Sequence, residues 1–392
     1  MSEIVVAVDA SRIRSGGGVA HLIGILSVDQ IDIFGFKEIH VWSYQKLLDA
    51  IPNRPWLYKH YVADSERSII TQLRWQADKL PQEIRAHGCD ILFSADAGTV
   101  CRFEPMIVLN QNMLPYDDGV LRLFGWSRDR IQQKIIYYVQ KRAFLSATAS
   151  VFLTQHAADQ VQRHTGKLKR TRIIPHGVGQ IFKDTRHRDV WPQGISAPIR
   201  CLYVSPILEY KYQWVVVRAI EVLRDRGHNL ALTLVGGGGR RAKKMLDRQL
   251  NISDPKREFV QVLEFLPHVE IPEYIANTNI FIFASGCETF GISLLEAMAV
   301  GAPIASSNRS SLPETLKDGG VYFDPSDHLS IAQSIQELID QPNLRAEIAK
   351  RATNISRQYS WERCADETWR YVSQIYKDYD TADQVKKSNI AF

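Results

Sequence analysis

Residues 279–314 read NIFIFASGCETFGISLLEAMAVGAPIASSNRSSLPE. The run 280–284 is short, apolar and rich in Ile and Phe, which suits a strand buried on both faces of a parallel sheet. Gly286 breaks that run, and a helix pattern opens near Ile292. Leu294, Leu295, Met298 and Ala299 recur at helical spacing, and Gly301 and Pro303 close the helix. A second apolar run, 302–305, follows as the next strand. The stretch is therefore a βαβ unit whose loop lies at the carboxyl end of a strand, where open α/β sheets bind ligands.

Two carboxylates sit in this unit, Glu288 on the loop and Glu296 on the helix, with seven residues between them. Gly291, Ile292 and Ser293 stand at the helix start, where free N–H groups and the positive dipole end attract phosphate. A loop carboxylate accepts hydrogen bonds from sugar hydroxyls. One further along the helix can take a ribose diol, as acidic residues do in dinucleotide sites. Sugar, diphosphate and ribose in that order describe a sugar nucleotide. Two unrelated glutamates would more often be solvated charges; the strand before the loop and the glycine before the helix reverse that preference.

The segment Glu288-Thr-Phe290-Gly291-Ile-Ser-Leu-Leu-Glu296-Ala-Met-Ala resembles the E-x7-E signature of family-4 retaining glycosyltransferases of the GT-B fold. Gly301-Ala-Pro303 and Leu312-Pro313-Glu314 continue the family pattern. The resemblance implies an α/β protein of two Rossmann-like domains facing a central cleft, with the nucleotide held mainly by the second. It also implies transfer of a sugar, with retention, from a nucleotide diphosphate sugar to an acceptor hydroxyl. Glu288 would contact the donor sugar and Glu296 the ribose. The segment Phe290 to Ser293 would face the donor.

Composition is compatible with this. A chain of 392 residues suggests two domains, and 45% hydrophobic with 23% charged residues is ordinary for a globular protein. Net charge is a mild +5. The five cysteines are scattered and lack CxxC spacing, which points to a reducing compartment and away from a zinc site. No 18-residue apolar run predicts a membrane span, and residues 4–8 form a strand at once, without a signal peptide's basic start. The expectation is a cytoplasmic enzyme.

Taken from the start, the strand at 4–8 leads into Ser15-Gly-Gly17-Gly18 and a helix over 19–26. A triple glycine alone is usually just a flexible turn. The resemblance places Gly17 and Gly18 beside donor phosphates and acceptor. Further strands are expected at 38–42, 91–93, 105–110 and 149–153, and a helix over 65–86. After Asn110 comes Asn112, where many members of the family carry histidine. An amide can orient a hydroxyl but cannot act as a base near neutral pH, and capping a turn is an equal alternative. Residues 121–144 are basic and aromatic, which suits an anionic lipid surface, a lipid-diphosphate acceptor or a solvated helix face. No motif supports nucleic-acid binding. His176, in Arg172-Ile-Ile-Pro-His-Gly177, reads as structural.

Residues 182–198 read as the interdomain linker, between a first domain over 1–185 and a second over 190–358. In the second, Lys211 matches the lysine of a basic pair that neutralises the leaving diphosphate in the family. The usual arginine is absent, with Ser205 near its place. The strand at 231–235 ends in Gly236 and Gly237, and the strand at 260–266 ends in Leu266; by resemblance these lie near the nucleotide and its base. A last helix, 360–380, is expected to return to the first domain, and the tail from Thr381 to be frayed. The resemblance implies a nucleotide-sugar donor, with GDP-mannose or a UDP-sugar as candidates, and a glycan or lipid-linked acceptor; the basic stretch 121–144 suits peripheral contact at the inner face of an anionic membrane. No metal or other cofactor is expected in this chain: the resemblance implies a donor site that needs no divalent metal, and no D-x-D carboxylate pair is placed to bind one. The activity fits bacterial surface polysaccharide synthesis. An epimerase-like enzyme of the same architecture and a non-catalytic nucleotide-sugar-binding protein are the alternatives.

Overall fold

A computed structural model describes residues 3–14, 16–188, 191–192 and 197–390, with side chains to residue 385. Ser15 and parts of the expected linker, residues 189–190 and 193–196, lie outside the described residues. The chain divides into two compact units. One comprises residues 1–116, 127–177 and 360–392, the other 117–126 and 178–359.

The first unit is built on a seven-stranded sheet in which every pairing is parallel. Its strands are β1 (Ile4–Asp9), β2 (Phe36–Ser43), β3 (Leu57–Tyr61), β4 (Ile91–Ser94), β5 (Met106–Leu109), β6 (Ala149–Phe152) and β7 (Thr171–Ile173), in the order β3-β2-β1-β4-β5-β6-β7. The central strands are continuous apolar runs because helices cover both faces; β4, β5 and β6 are buried throughout. Of the outermost strands, β3 buries only Leu57 and β7 buries none of its residues, and neither is legible as an apolar run. The glycine segment after β1 is a helix start rather than a loop. Gly17 begins the helix Gly17–Ile25, with Gly16 before it in the left-handed region at φ 63°.

His176 is buried, its Nδ1 3.1 Å from Nδ1 of His21, in keeping with a structural role. A Cβ on Gly177 would lie 2.2 Å from the backbone nitrogen of Trp361, so only glycine lets the final helix approach there. That helix, Trp361–Ile390, belongs to the first unit, where Trp369 donates from Nε1 to the carbonyl of Ile25 at 2.7 Å. It does not fray at Thr381 but continues to Ile390.

The second unit carries a six-stranded parallel sheet of β8 (Ile199–Val204), β9 (Leu230–Val235), β10 (Val260–Leu263), β11 (Ile280–Phe283), β12 (Ile304–Ser307) and β13 (Val321–Phe323). Its order is β10-β9-β8-β11-β12-β13, so the chain reverses its winding direction between β8 and β11. Phe281, Phe283, Leu294, Leu295 and Met298 are buried in its core. Much of the expected linker is part of this unit. Phe182 is fully buried within the helix Gln180–Asp184, and the backbone of Arg188 donates to the carbonyl of Ala276 at 2.8 Å. Residues 117–126 join the same unit, held by Arg241, which donates to the carbonyls of Phe124 at 2.6 Å and Leu123 at 3.0 Å.

Candidate functional site

Neighbouring parallel strands whose connections leave in opposite directions open a crevice at their carboxyl ends. In the second unit that point lies between β8 and β11. The loop after β8 passes Ser205 and a 3-10 turn, Glu209–Lys211, before the helix Gln213–Asp225. Tyr203 Oη donates to the carbonyl of Lys211 at 2.8 Å, which fixes the lysine backbone. The loop after β11 is tied to it, because Gly286 N donates to the carbonyl of Tyr210 at 2.7 Å. Across this seam Lys211 Nζ donates to Glu288 Oε1. The two side chains are 7% and 17% exposed, so the pair is poorly screened by water.

Glu288 is also gripped through its backbone. Its N–H donates to Ser310 Oγ at 3.0 Å, and its carbonyl accepts from Ser310 Oγ at 2.9 Å and Ser311 Oγ at 3.0 Å. Ser310 stands in the left-handed region at φ 60°, a conformation that side-chain-bearing residues adopt mainly where surrounding structure imposes it. Gly291, at φ 90°, precedes the helix Ile292–Val300 and brings no capping side chain. This helix start is therefore open to an anion at Ile292 and Ser293.

Glu296 lies one turn further on, buried, with Oε1 2.9 Å from His268 Nε2. Burial pushes its carboxyl up from the usual range, against the partial relief that His268 gives. In return the hydrogen bond to Glu296 raises the imidazole of His268. The residue pattern did not single out His268. It stands two positions past Leu266 and 28 before its partner, so only the fold reveals the contact.

The structure thus gathers Ser205, Lys211, Gly236, Gly237, Leu266, Glu288, Gly291, Ile292, Ser293 and Glu296 onto the loops at the carboxyl edge of β8 to β11 or the helix that follows. Phe290 is the exception. It is 2% exposed and packs edge-on against Tyr359, so its side chain is core and cannot face a donor. Gly236 has a packing reason of its own: at φ 136° a Cβ there would lie 2.4 Å from the carbonyl oxygen of Ser205. The remaining three residues belong to the first unit. Gly17 and Gly18 form the first helical turn after β1, and a Cβ on Gly18 would meet Gln111 Oε1 at 2.8 Å. Asn112 follows Gln111, and its Oδ1 accepts from Leu114 N at 3.0 Å, the turn-capping alternative.

Comparison with known proteins agrees with this geometry. Residues 188–355 match the family described as Glycosyl transferases group 1. O-antigen chain mannosyltransferase B of Escherichia coli is 33% identical over 110 residues, which covers 28% of this chain and 29% of that protein. Among solved structures, sucrose-phosphate synthase from Thermosynechococcus elongatus superposes with a TM-score of 0.76 at 17% identity, covering 97% of this chain and all of that one. HepE of Anabaena, in complex with UDP-glucose, gives 0.70 at 17% identity over 96% of this chain and 100% of its own. At such identity the structures establish the fold alone, which is GT-B. Residues 188–355, which hold every residue of the second-unit site, are thus the part of the chain that is similar to the glycosyl transferases group 1 family.

Proposed function

We propose that the chain is a retaining glycosyltransferase. It moves a sugar from a nucleotide diphosphate sugar to a hydroxyl of a glycan or lipid-linked acceptor, in the synthesis of a bacterial surface polysaccharide. One observation carries the reading: two individually partnered carboxylates, Glu288 half-buried and Glu296 buried, flank an uncapped helix start at the point where the second sheet reverses direction.

In this reading Lys211 holds one oxygen of Glu288 and keeps the carboxylate aimed, while the second oxygen accepts from donor-sugar hydroxyls. The amides of Ile292 and Ser293 and the helix dipole take the diphosphate, whose negative charge grows as the glycosidic bond breaks. Fixed donors aimed at developing charge are the strongest form of stabilisation available to such a site. Lys211 adds the nearest cation, and no divalent metal is invoked. Glu296, oriented by His268, takes the ribose diol. GDP-mannose and UDP-sugars are the candidate donors. The mannosyltransferase relative favours the first, and the UDP-glucose complex of HepE favours the second.

The acceptor side of the proposal rests on the helix Arg128–Ser146 of the first unit. It leaves Ile131, Ile135, Tyr138 and Leu145 exposed among Arg128, Lys134 and Arg142. An exposed apolar row edged by cations suits the inner face of an anionic membrane and a lipid-linked acceptor. Among the described residues no helix is long and apolar enough to cross a membrane.

A thermal-shift screen of nucleoside diphosphates and nucleotide sugars identifies the donor. Ligand at about a hundred times its Kd adds roughly 2.7 kcal/mol to stability. Donor turnover with a glycan or lipid acceptor should then be lost in Glu288→Gln. Epimerisation of donor without acceptor would replace this reading, as would indifference of every activity to Glu288→Gln.

A further inference from the structure

Three histidines of the first unit converge on one face of its sheet edge. His40 lies on β2 and His60 on β3; His40 pairs in register with Tyr58 and Trp42 with His60, so these side chains share a face. His87 follows the helix Leu80–Ala86. The rings stack, with centroids 5.1 Å apart for His40 and His60 and 4.5 Å for His60 and His87. The polar atoms converge as well: His40 Nδ1 lies 2.9 Å from His60 Nε2, and one ring nitrogen from each of the three lies within 4.8 Å of the others. We propose that His40, His60 and His87 form a binding site for a single divalent transition-metal ion of the zinc type, clamping the edge strand β3 and the 80–86 helix to β2.

The chemistry of the donors selects the ion. Three imidazoles with no thiolate suit Zn2+, Co2+, Ni2+ or Cu2+, whereas Ca2+ and Mg2+ demand oxygen donors. The surroundings are those of a ligand set. Glu38 Oε2 lies 3.3 Å from His40 Nε2, placing the proton on that nitrogen and the lone pair on Nδ1, where it faces His60. A carboxylate behind a ligating imidazole fixes tautomer and ring orientation in this way. Trp42 covers His60 at a centroid distance of 4.6 Å, and its Nε1 is anchored by Glu83 Oε2 at 2.7 Å. His40 is 5% exposed while His87 is open to solvent, so an ion has a path in and a fixed floor beneath it.

Without metal, the His60 Nε2 proton bridges to His40 Nδ1. With metal, His60 moves that proton to its own Nδ1 and both facing nitrogens become donors, so no net proton is released. Zn–N bonds of about 2.0–2.1 Å in tetrahedral geometry need the two nitrogens roughly 3.3 Å apart. A rotation of the His60 ring by a few tenths of an ångström supplies this. The site shares no residue with the proposed donor site.

The test uses the full-length, tag-free chain after chelator treatment. Calorimetric titration with Zn2+ and visible absorption with Co2+ should give one ion per chain with the ligand-field bands of a tetrahedral nitrogen site. His87→Ala, at an exposed position, and His60→Asn should each weaken binding by about tenfold or more. Zn2+ should raise the Tm of the parent and not of the variants. The proposal falls if the parent binds no ion, or if His87→Ala binds Zn2+ and Co2+ as the parent does. Should His60→Asn fail to fold, His87→Ala decides alone.

Discussion

At the scale of single residues, the site depends on two part-buried contacts joining positions far apart in the chain. Lys211→Met would remove the cation that Glu288 is hydrogen-bonded to, in a pair whose side chains are 7% and 17% exposed. Removing one partner of a buried ion pair costs about 3 kcal/mol or more. Urea denaturation of Lys211→Met should show a loss of that order; a loss below about 1 kcal/mol, typical of a surface pair, would contradict the contact. The second contact makes stability depend on pH. His268 is raised above its usual 6.5 by the hydrogen bond to Glu296, so the folded chain holds that proton more tightly than the unfolded chain. The stabilisation is complete below the unfolded value of 6.5 and fades as pH rises through the higher folded value. The Tm difference between the parent and His268→Gln should therefore be largest near about pH 6 and shrink by about pH 8. A difference constant across that range would refute the coupling. The sequence displayed Glu288 and Glu296 because both lie in a single βαβ unit. It offered Lys211 through the resemblance but hid that lysine's pairing with Glu288 and hid His268 altogether, since both arrive from other strand ends, and it gave no sign that Phe290 turns into the core.

At the scale of elements, the helix Ile292–Val300 depends on its first residue's backbone. Gly291→Ala forces a side chain into the left-handed region, at about 1–2 kcal/mol, and its Cβ would lie 2.8 Å from Leu312 Cδ2. We expect a lower denaturation midpoint together with weaker nucleotide binding, because the helix-start amides shift; unchanged binding would separate the amides from the ligand. The helix Arg128–Ser146 makes a different prediction. Ile135→Asp and Tyr138→Asp should abolish sedimentation with anionic vesicles while leaving Tm within a few degrees, both positions being exposed. Sedimentation equal to the parent's would remove the membrane from the account. Buried strands and amphipathic helices were legible because periodicity reports burial. The edge strands of the first sheet were not: Leu57–Tyr61 and Thr171–Ile173 pair on one side only and show no apolar run. The polar end of the final helix misled for a related reason, since polar residues are compatible with an exposed helix as well as with a frayed one.

At the scale of the molecule, two parallel sheets of matching winding are what alternating strand and helix patterns predict. What the pattern could not give was the division of the chain. Residues 117–126 and the helix Gln180–Asp184 belong to the second unit, through contacts such as that of Arg241 that no local signal announces. The final helix returns to the first unit, as the family resemblance implied. The proposed function rests on the second unit alone, where Glu288 and Glu296 are proposed to hold the two ends of one nucleotide sugar. Calorimetric titration of the donor and of its nucleoside diphosphate into the parent, Glu288→Gln and Glu296→Ala tests this most directly. The account predicts that Glu296→Ala weakens both ligands by about tenfold, roughly 1.4 kcal/mol. It predicts that Glu288→Gln weakens the nucleotide sugar and leaves the diphosphate as in the parent. Titrations of both variants indistinguishable from the parent would contradict it.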